Sequence, residues 1–223
     1  MDYKAIADRM GPRVGATQEW IFHVLREGIV SGQLPGGMQL KQDEISAALN
    51  VSHIPVREAL RRLEAQGLVR IHPNRGAAVA QLTRDQLFDM MEVRATLSVM
   101  MLKNSAPLLN EDDFEALGQI IRQQRETSDE DLMRSEELNY RFHDILTSHG
   151  DNSMAVLMLE LVHANIDRYL RASFYGTNRL REISIGQHEA ILKACREGDY
   201  EAACAILRDH ILNAKEFIPA SLK

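Results

Sequence analysis

Apolar residues recur at helical spacing through most of the 223-residue chain, and β-rich sequence interrupts this periodicity only between residues 68 and 80. Residues that follow one another at intervals of three and four form one face of a helix, which other elements must cover. The pattern therefore predicts a mainly α-helical protein with one small β element. A chain of this length that is 45% hydrophobic has enough apolar material for one large domain or two modest ones.

Several classes of protein are excluded by composition. The two cysteines, Cys195 and Cys204, are too few for a disulfide scaffold or a four-cysteine zinc site. The apolar runs are short and interrupted by charge, so no membrane span is expected. The first ten residues contain Asp2 and Asp8 and no apolar core of a signal sequence. We therefore expect a cytoplasmic protein.

The first 80 residues contain signals for three helices followed by two strands. Ser52, a residue type that caps helices, precedes the third helical segment, and Gly67 follows it. Two helices joined by a tight turn and followed by two strands with a basic tip have the layout of a winged helix-turn-helix domain. The predicted helices are 17–33, 42–49 and 53–66, and the predicted strands are 68–71 and 77–80, separated by the turn 73–76.

The net charge of −6 is distributed unevenly along the chain. Residues 1–80 hold 10 Lys and Arg against 8 Asp and Glu, a net of +2, whereas residues 81–223 hold the remaining 16 and 24, a net of −8. Five arginines and two glutamates make residues 53–76 a basic patch of +3. Such a patch is ordinarily a solvated helix face, and contact with nucleic acid is the alternative.

Three segments of this region resemble a known family. GQLPGGMQL, VSHIPVREALRRLEAQGLV and PNRGAAV closely resemble, in order and spacing, the N-terminal domain of the GntR family of bacterial transcription regulators. The resemblance covers residues 17–80. It implies that the helix opened by Ser52 enters the major groove of DNA and that the tip of the hairpin reaches the adjacent minor groove.

The candidate DNA contacts lie on that helix and that hairpin. Arg57 and Arg61, four residues apart, share an exposed face from which guanidinium groups can bind guanine or phosphate bidentately. The start of the helix, with Ser52, can hold a phosphate. His53 stands where the family commonly has arginine, and its shorter side chain lacks the paired donors with which a guanidinium binds guanine. The candidates are Ser52, His53, Arg57, Arg61, Asn74, Arg75 and Gly76.

Helical periodicity fills the rest of the chain. Breaks rich in Gly, Asn, Asp, Ser and Pro divide it into six segments joined by short turns, which favours an antiparallel all-α bundle. We therefore predict a DNA-binding domain over residues 1–80 and an all-α domain over residues 81–223. The predicted helices of the second domain are 84–104, 111–127, 130–148, 152–174, 178–197 and 199–216.

Three helices of the second domain turn an imidazole toward the bundle interior. His143, His188 and His210 fall within or beside the apolar stripes of their helices, and Asn139 lies four residues before His143. Neutral imidazole is a common ligand of transition metals, and residues four apart on a helix present their side chains to the same point. A single inward histidine is ordinarily part of the core, but here three lie on three different helices. From spacing alone a metal site and a set of core histidines remain equally open.

Here too the sequence resembles a known domain. NYRFH and QHEAILKACREGDYEAACAILRDHI resemble FCD, the effector-binding domain of the FadR subfamily of GntR regulators. Most of its members carry Asp or Asn, a histidine four residues later, and two further histidines on the last two helices. The resemblance implies that Asn139, His143, His188 and His210 bind a divalent metal, with zinc expected and nickel as the alternative. Asn in place of Asp removes one negative charge from this set, which leaves metal affinity and identity less defined.

Arg94 interrupts the apolar stripe of its helix. A buried guanidinium rarely lacks an anionic partner, so an internal salt bridge and an external anion are both open. The resemblance implies that this arginine faces the metal cavity and binds the carboxylate of a ligand. The family often has glutamate four residues later, where this chain has Ser98, and that favours an external anion. Asn165, on the apolar side of its helix, is a weaker candidate for the effector site.

Other histidines and the methionines carry no site in this interpretation. His23, His149 and His163 belong to no such constellation, so we assign them no role. The methionines at helical spacing are expected to fill the core: Met90, Met91, Met100, Met101, Met154 and Met158.

The sequence thus predicts a ligand-responsive DNA-binding regulator and not an enzyme. We expect a homodimer on a palindromic operator, because helix-turn-helix proteins bind half-sites related by two-fold symmetry, and a small organic acid as effector. A regulator whose effector is the metal itself is the alternative. A metal-dependent hydrolase is disfavoured, because no motif supplies a nucleophile and no general base is placed beside the three histidines.

Overall fold

The computed structural model describes residues 2–13, 15–72, 76–128, 131–174 and 178–218, with backbone alone at 132, 133, 167, 168, 170–174 and 178–180. Its internal contacts divide it into two compact units. The N-terminal unit comprises residues 1–83 and 164–172, and the helical unit comprises residues 84–163 and 173–223. Two stretches that the sequence placed in the second domain belong to the first unit by their contacts: residues 81–83 and residues 164–172.

The N-terminal unit contains a helix-turn-helix and a small antiparallel sheet. The predicted helices and strands of this region are all present, with ends that differ by no more than three residues. A first helix and a two-residue strand were not predicted. The elements are α1 (Tyr3–Arg9), α2 (Thr17–Val30), β1 (Gln39–Leu40), α3 (Gln42–Leu49), α4 (His53–Ala65), β2 (Val69–His72) and β3 (Gly76–Val79).

Helix α4 lies at the centre of this unit, packed against α2, α3 and β2. Its inward residues Val56, Leu60 and Leu63 are at most 1% exposed and meet Leu25 and Ile45 of the neighbouring helices in one core cluster. Burial of each leucine contributes about 1.5–3 kcal/mol. The remaining residues of α4 are left on the outside, which is where the predicted DNA contacts fall.

The two ends of α4 are formed differently. Ser52 occupies the N-cap position with extended backbone, but its side chain makes no capping hydrogen bond, so the prediction that this hydroxyl caps the helix was wrong. The N-cap backbone alone begins the helix. At the other end Gly67 has a φ of +71°, and the amide of Leu68 donates to the carbonyl of Leu63 at 3.0 Å. Only glycine adopts this backbone without strain.

Strand β3 lies between β1 and β2, and both pairings are antiparallel. In the hairpin Val69 lies opposite Val79 and His72 lies opposite Gly76. The short strand β1 pairs Gln39 with Ala78. The predicted wing between these two strands, residues 73–75, lies outside the described residues.

The chain after residue 83 contains the six helices that the sequence predicted, with ends that differ by no more than three residues. Helix α5 packs against α7 and α10, α6 packs against α7 and α9, and α9 packs against α10. The core between them includes Phe142, Leu146, Ile191, Leu207 and Ile211. The helices are α5 (Arg84–Ser105), α6 (Glu111–Glu126), α7 (Leu132–Thr147), α8 (Ser153–Phe174), α9 (Asn178–Arg196) and α10 (Tyr200–Asn213), with short 3-10 turns at Ala106–Leu108 and Ala214–Phe217.

Side chains cap several of these helices. The Asn110 carboxamide accepts from the amides of Asp112 and Asp113, and the Asp113 carboxylate accepts from the amide of Asn110, which completes a capping box at the start of α6. Asp199 caps α10 by accepting from the amide of Ala202. These local signals explain why the sequence located the breaks between helices so closely.

The methionines divide into buried and exposed sets. Met91 and Met101 are buried, as predicted, but Met100, Met154 and Met158 are 38%, 60% and 41% exposed, so their assignment to the core was wrong. Helical spacing puts them on one side of a helix, but it does not show whether another element covers that side. Four apolar residues of α8 lie at intervals of three and four, three of them exposed and one half-buried. We call them the α8 stripe: Met154, Leu157, Met158 and the half-buried Leu161.

Among the residues that the structure describes, no helix is long and apolar enough to cross a membrane.

Candidate metal centre and nucleic-acid interface

The three predicted histidines meet inside the helical unit. His143 of α7, His188 of α9 and His210 of α10 bring one ring nitrogen each to within 4.8 Å of the other two. The Nε2 atoms of His143 and His210 are 3.2 Å apart. His188 is completely buried and its ring stacks on Phe142, with centroids 4.0 Å apart. The cluster therefore combines three imidazoles from three different helices in one buried place.

Two glutamines orient these rings. Gln124 Oε1 lies 3.0 Å from Nδ1 of His188, and Gln187 Oε1 lies 3.1 Å from Nδ1 of His210. A carboxamide oxygen only accepts hydrogen bonds, so both Nδ1 atoms carry the hydrogen and both Nε2 atoms keep a lone pair. Nε2 of His188 is buried and has no hydrogen-bond partner among the described residues. Its lone pair is thus available to a ligand that the protein itself does not supply.

Burial and nearby positive charge keep the cluster neutral. Burial, followed by His210 and then Arg94, lowers the pKa of His143 well below 6.5, and burial, again followed by His210 and Arg94, does the same to the pKa of His188. Burial and the charge of Arg94 lower the pKa of His210 to about 3. Neutral imidazole is the form that binds metal ions, so the donor set fits a divalent transition metal.

Sequence reasoning missed Gln124 and Gln187. Gln124 lies on α6, a helix to which no site residue had been assigned, and it is 5% exposed. A buried glutamine on an apolar helix face was the only signal that could have drawn attention to it. Asn139, the fourth predicted ligand, is half-buried on α7 one turn before His143, and its role as a ligand stays a prediction.

Arg94 is buried on α5, with 7% of its surface exposed. Its charge contributes to the lowered pKa of each of the three histidines, so the guanidinium lies close to the cluster. Ser98, one turn later on the same helix, is also buried. A buried cation beside three neutral rings makes this region of the helical unit attractive to an anion.

Asn165 belongs to the N-terminal unit, whereas the three histidines belong to the helical unit. Its side chain is buried, and its carboxamide donates to the carbonyl of Gln66 at 2.8 Å. This hydrogen bond joins residues 164–172 to the end of α4. The contact of Asn165 with an effector stays a prediction that no contact in the structure supports.

The outer face of α4 carries arginines on both sides of Glu58. The side chains of Arg57 and Arg61 are 54% and 61% exposed, and each lies within 3.7 Å of the Glu58 carboxylate. Arg62 contacts Glu19 at 3.2 Å and lies over the ring of Phe22, 4.1 Å from its centroid. Arg57 and Arg61 thus face outward, whereas Arg62 contributes to packing within the unit.

The start of α4 presents three exposed residues in succession. The Ser52 hydroxyl is not engaged in a cap, and Nδ1 of His53 lies 3.4 Å from the Asp43 carboxylate at the start of α3. Ile54, which the sequence did not single out, is 65% exposed. An exposed apolar side chain at this position can contact a thymine methyl group. At the predicted wing Gly76 is described, with a φ of +81°, whereas Asn74 and Arg75 lie outside the described residues.

A helix-turn-helix with a wing and a basic outer face, joined to a helical unit with a buried ligand site, defines a class of protein. This class is the DNA-binding regulator that carries its own sensor domain. The model of the bacterial regulatory proteins of the gntR family matches residues 17–79, and the model of the FCD domain matches residues 89–213. The chain belongs to the gntR family of bacterial transcription regulators and carries an FCD effector-binding domain.

Similar proteins agree with this membership. The HTH-type transcriptional repressor RspR of Escherichia coli K12 is 28% identical over 214 residues, which cover 96% of this chain and 93% of that protein. The Nta operon transcriptional regulator of Aminobacter aminovorans is 25% identical over 182 residues, covering 82% and 85%. These relatives are transcriptional regulators, so the prediction of a regulator and not an enzyme is confirmed. Membership of the FadR subfamily stays a prediction.

Solved structures show the same fold. A GntR family member from Pseudomonas syringae pv. tomato is 29% identical with a TM-score of 0.51, covering 97% of this chain and 92% of that one. McbR/YncC of E. coli has a TM-score of 0.75 at 20% identity, covering 90% and 95%. The second comparison shows the shared fold alone.

Proposed function

We propose that this regulator binds its operator with an affinity that a small carboxylate controls from a metal-containing cavity in the helical unit. The observation that carries the proposal is the buried Nε2 of His188, which has no partner among the described residues although two neighbouring imidazoles converge on it. Buried polar atoms are ordinarily hydrogen-bonded, and three convergent neutral imidazoles are a metal-binding set.

His143, His188 and His210 would hold the ion together with Asn139, with zinc as the expected ion and nickel as the alternative. When bound, a divalent cation supplies a positive Lewis-acidic centre that attracts a carboxylate. Gln124 and Gln187 keep the Nδ1 hydrogens in place, so that the Nε2 lone pairs of His188 and His210 stay directed at the ion.

Arg94 would bind the carboxylate of the effector. Its guanidinium is buried near the histidines, and arginine pairs with carboxylates through parallel hydrogen bonds. Its neighbour one turn later on α5 is Ser98, an uncharged residue. Binding of the anion would favour one of two arrangements of the protein that fit the operator differently.

On DNA, α4 would enter the major groove with Arg57 and Arg61 toward the bases and Ser52 and His53 near the backbone. Asn74, Arg75 and Gly76 of the wing would contact the adjacent groove. Two copies of the chain would bind the two halves of a palindromic operator. The α8 stripe supports a homodimer, because large apolar side chains exposed at helical spacing are typical of a surface that a partner covers.

A titration of DNA binding tests this proposal. Duplexes selected from a random library by the purified protein should be palindromic, and their affinity should be measured by fluorescence anisotropy with and without zinc and with glycolate, succinate and benzoate. We expect at least one carboxylate to change the affinity of the zinc-loaded protein severalfold and to lose this effect in Arg94→Met, whereas Arg122→Met, an exposed control on α6, should respond as the unaltered protein does.

The outcomes separate the alternatives. A response to zinc without any carboxylate would support the second candidate, in which the metal itself is the effector. An affinity that neither zinc nor any of the three carboxylates changes would contradict control from this cavity.

A further inference from the structure

His163 of α8 lies outside the three-histidine cluster, and one nitrogen of its ring is buried. Its Nε2 atom is fully buried and has no hydrogen-bond partner among the described residues. Its ring meets the ring of Tyr140 edge-on, with centroids 6.1 Å apart at 74°. A buried ring nitrogen without a hydrogen-bond partner costs free energy. Nε2 of His163, like Nε2 of His188, has no such partner among the described residues.

The surroundings of His163 are those of the proposed effector site. Burial and then the charge of Arg94 lower the pKa of His163 well below 6.5, and His163 in turn contributes to the lowered pKa of His143. Tyr140, which the ring contacts, lies three residues before His143 on α7, so His163 packs beside the helix that carries the first histidine of the cluster. Since the ring is neutral, it carries one N–H donor and one lone pair.

We propose that His163 is a second effector-binding residue, whose Nε2–H donates a hydrogen bond to the carboxylate that Arg94 binds. A carboxylate is the ligand class that fits these two side chains, because the neutral ring N–H and the guanidinium both donate hydrogen bonds and the guanidinium adds a positive charge. A carboxylate has two oxygens and can accept from two donors at once. The inference rests on the proposed function and adds to it the residue that would take the second oxygen.

Isothermal titration of the zinc-loaded, full-length protein with glycolate, succinate and benzoate tests the inference. His163→Phe keeps the ring and removes the donor, whereas His163→Gln keeps an N–H near the position of Nε2. We expect the Kd of the best-binding carboxylate to rise at least tenfold in His163→Phe and to stay within a few fold in His163→Gln. His23→Phe, at a half-exposed histidine of the N-terminal unit, is the matched control and should leave the Kd unchanged.

The failures of the two proposals differ. Equal carboxylate affinities of the unaltered protein and of His163→Phe would overturn the role of His163 and leave the carboxylate effector standing. If none of the three acids binds the unaltered protein, both the carboxylate effector and the role of His163 are contradicted. Thermal unfolding and zinc content of each variant show that it is folded and loaded, and a misfolded His163→Phe leaves the comparison to His163→Leu, which also lacks the donor.

Discussion

His188 and His149 are both histidines of the helical unit, but their ring nitrogens have different partners. Nδ1 of His188 is held by a glutamine oxygen, which turns a lone pair inward. Nε2 of His149 lies 3.0 Å from the carboxylate of Asp113, and its backbone amide donates to Ser105. At the scale of single residues, the hydrogen-bond partner of the ring decides the role of a histidine. A glutamine oxygen leaves His188 a lone pair for a ligand, whereas the Asp113 carboxylate makes His149 part of the packing between helices.

Replacement of Gln124 by leucine should weaken zinc binding. The substitution keeps the volume but removes the oxygen that holds Nδ1–H of His188, and loss of such an outer partner typically reduces metal affinity about 10- to 100-fold. A competition titration with a zinc chelator measures the change. Gln119→Leu, on the exposed side of the same helix, should bind zinc as the unaltered protein does. Equal affinity of Gln124→Leu and Gln119→Leu would contradict this role.

The metal-free protein should lose stability in acid. The pKa of His210 is lowered to about 3 by burial and Arg94, and burial lowers the pKa of His143 and His188 well below 6.5. Unfolded histidines take up protons near pH 6.5, so below that pH the unfolded state binds more protons than the folded one. The free energy of unfolding then falls by up to about 1.4 kcal/mol per pH unit for each histidine.

Urea unfolding at pH 7.5, 6.0 and 5.0 measures this loss. His210→Gln should flatten the pH dependence, because it removes one of the groups that must stay neutral, and His23→Gln should not. A free energy of unfolding that stays constant from pH 7.5 to 5.0 would show that these rings do not remain neutral in the fold.

Arg57→Ala should weaken specific DNA binding by about 1–3 kcal/mol. Arg57 faces outward from α4, so its loss removes a contact to DNA and leaves the packing of the unit intact. Arg62→Ala makes the same change of charge on the same helix, but Arg62 is engaged with Glu19 and Phe22, so it should affect stability more than specificity. Anisotropy with selected and random duplexes distinguishes the two, and unchanged discrimination in Arg57→Ala would rule out a base contact.

At the scale of elements, the boundary between α4 and β2 depends on backbone conformation. Gly67 has a φ of +71° and allows Leu68 to enter the core immediately after the helix, fully buried. The hairpin that follows has its register determined by this point, since a shift of one residue would turn Val69 and Ile71 to the opposite face. The position of β2 relative to α4 therefore follows from one turn.

Gly67→Ala should destabilise the protein by about 1–2 kcal/mol, because an alanine is strained at positive φ. The added Cβ would be 3.5 Å from the nearest atom, an ordinary contact, so strain and not collision is the cause. Gly186→Ala in α9 is the matched control. There φ is helical and no atom lies within 4 Å of the new Cβ, so the same substitution should stabilise by about 0.5–1 kcal/mol. Thermal unfolding compares them, and shifts of the same sign would contradict this account.

At the scale of the whole molecule, the charge is divided between two parts with different tasks. Residues 1–80 carry a net +2 and residues 81–223 a net −8, so the acidic total says nothing about the surface that meets DNA. The basic N-terminal part attracts the phosphates of DNA, and the acidic helical part is repelled by them. Taken alone, the net charge of −6 would argue against nucleic-acid binding, because it averages over both parts.

Leu157→Glu should dissociate the proposed homodimer. Leu157 is 49% exposed in the α8 stripe, and a carboxylate buried in an apolar interface without a partner is strongly unfavourable. Leu108→Glu, at a 60% exposed leucine outside the stripe, is the matched control and should remain dimeric. Sedimentation velocity measures both. A dimeric Leu157→Glu would place the interface elsewhere, and a monomeric unaltered protein would contradict the homodimer itself.

Most elements of the fold could be predicted because their signals are local. Gly67, Asn110 and Asp199 terminate or begin helices through their own backbone or side-chain chemistry, and apolar spacing marks the helices between them. Strand β1 escaped because two residues, Gln39 and Leu40, carry no periodicity. It exists through pairing with β3, a contact between residues far apart in sequence.

The main candidate ligands of the site could be predicted from the sequence, but the residues around them could not. His143, His188 and His210 show their inward direction in the stripes of their own helices. The role of His163 had no such signal, because it depends on Arg94 of another helix. Helical spacing also led to the wrong assignment of three methionines to the core, because a stripe shows which residues share a face but not what lies against it.

The sequence by itself determined the mainly helical fold, the winged helix-turn-helix, the family and the three histidines, because periodicity, caps and turn residues act over a few neighbouring positions. Only the tertiary structure decided which ring nitrogen of His188 carries the hydrogen and which methionines are exposed. Gln124 and His188 are 64 residues apart, and the contact exists only when α6 and α9 pack together. Chemistry that depends on such contacts has no pattern along the chain from which it could be predicted.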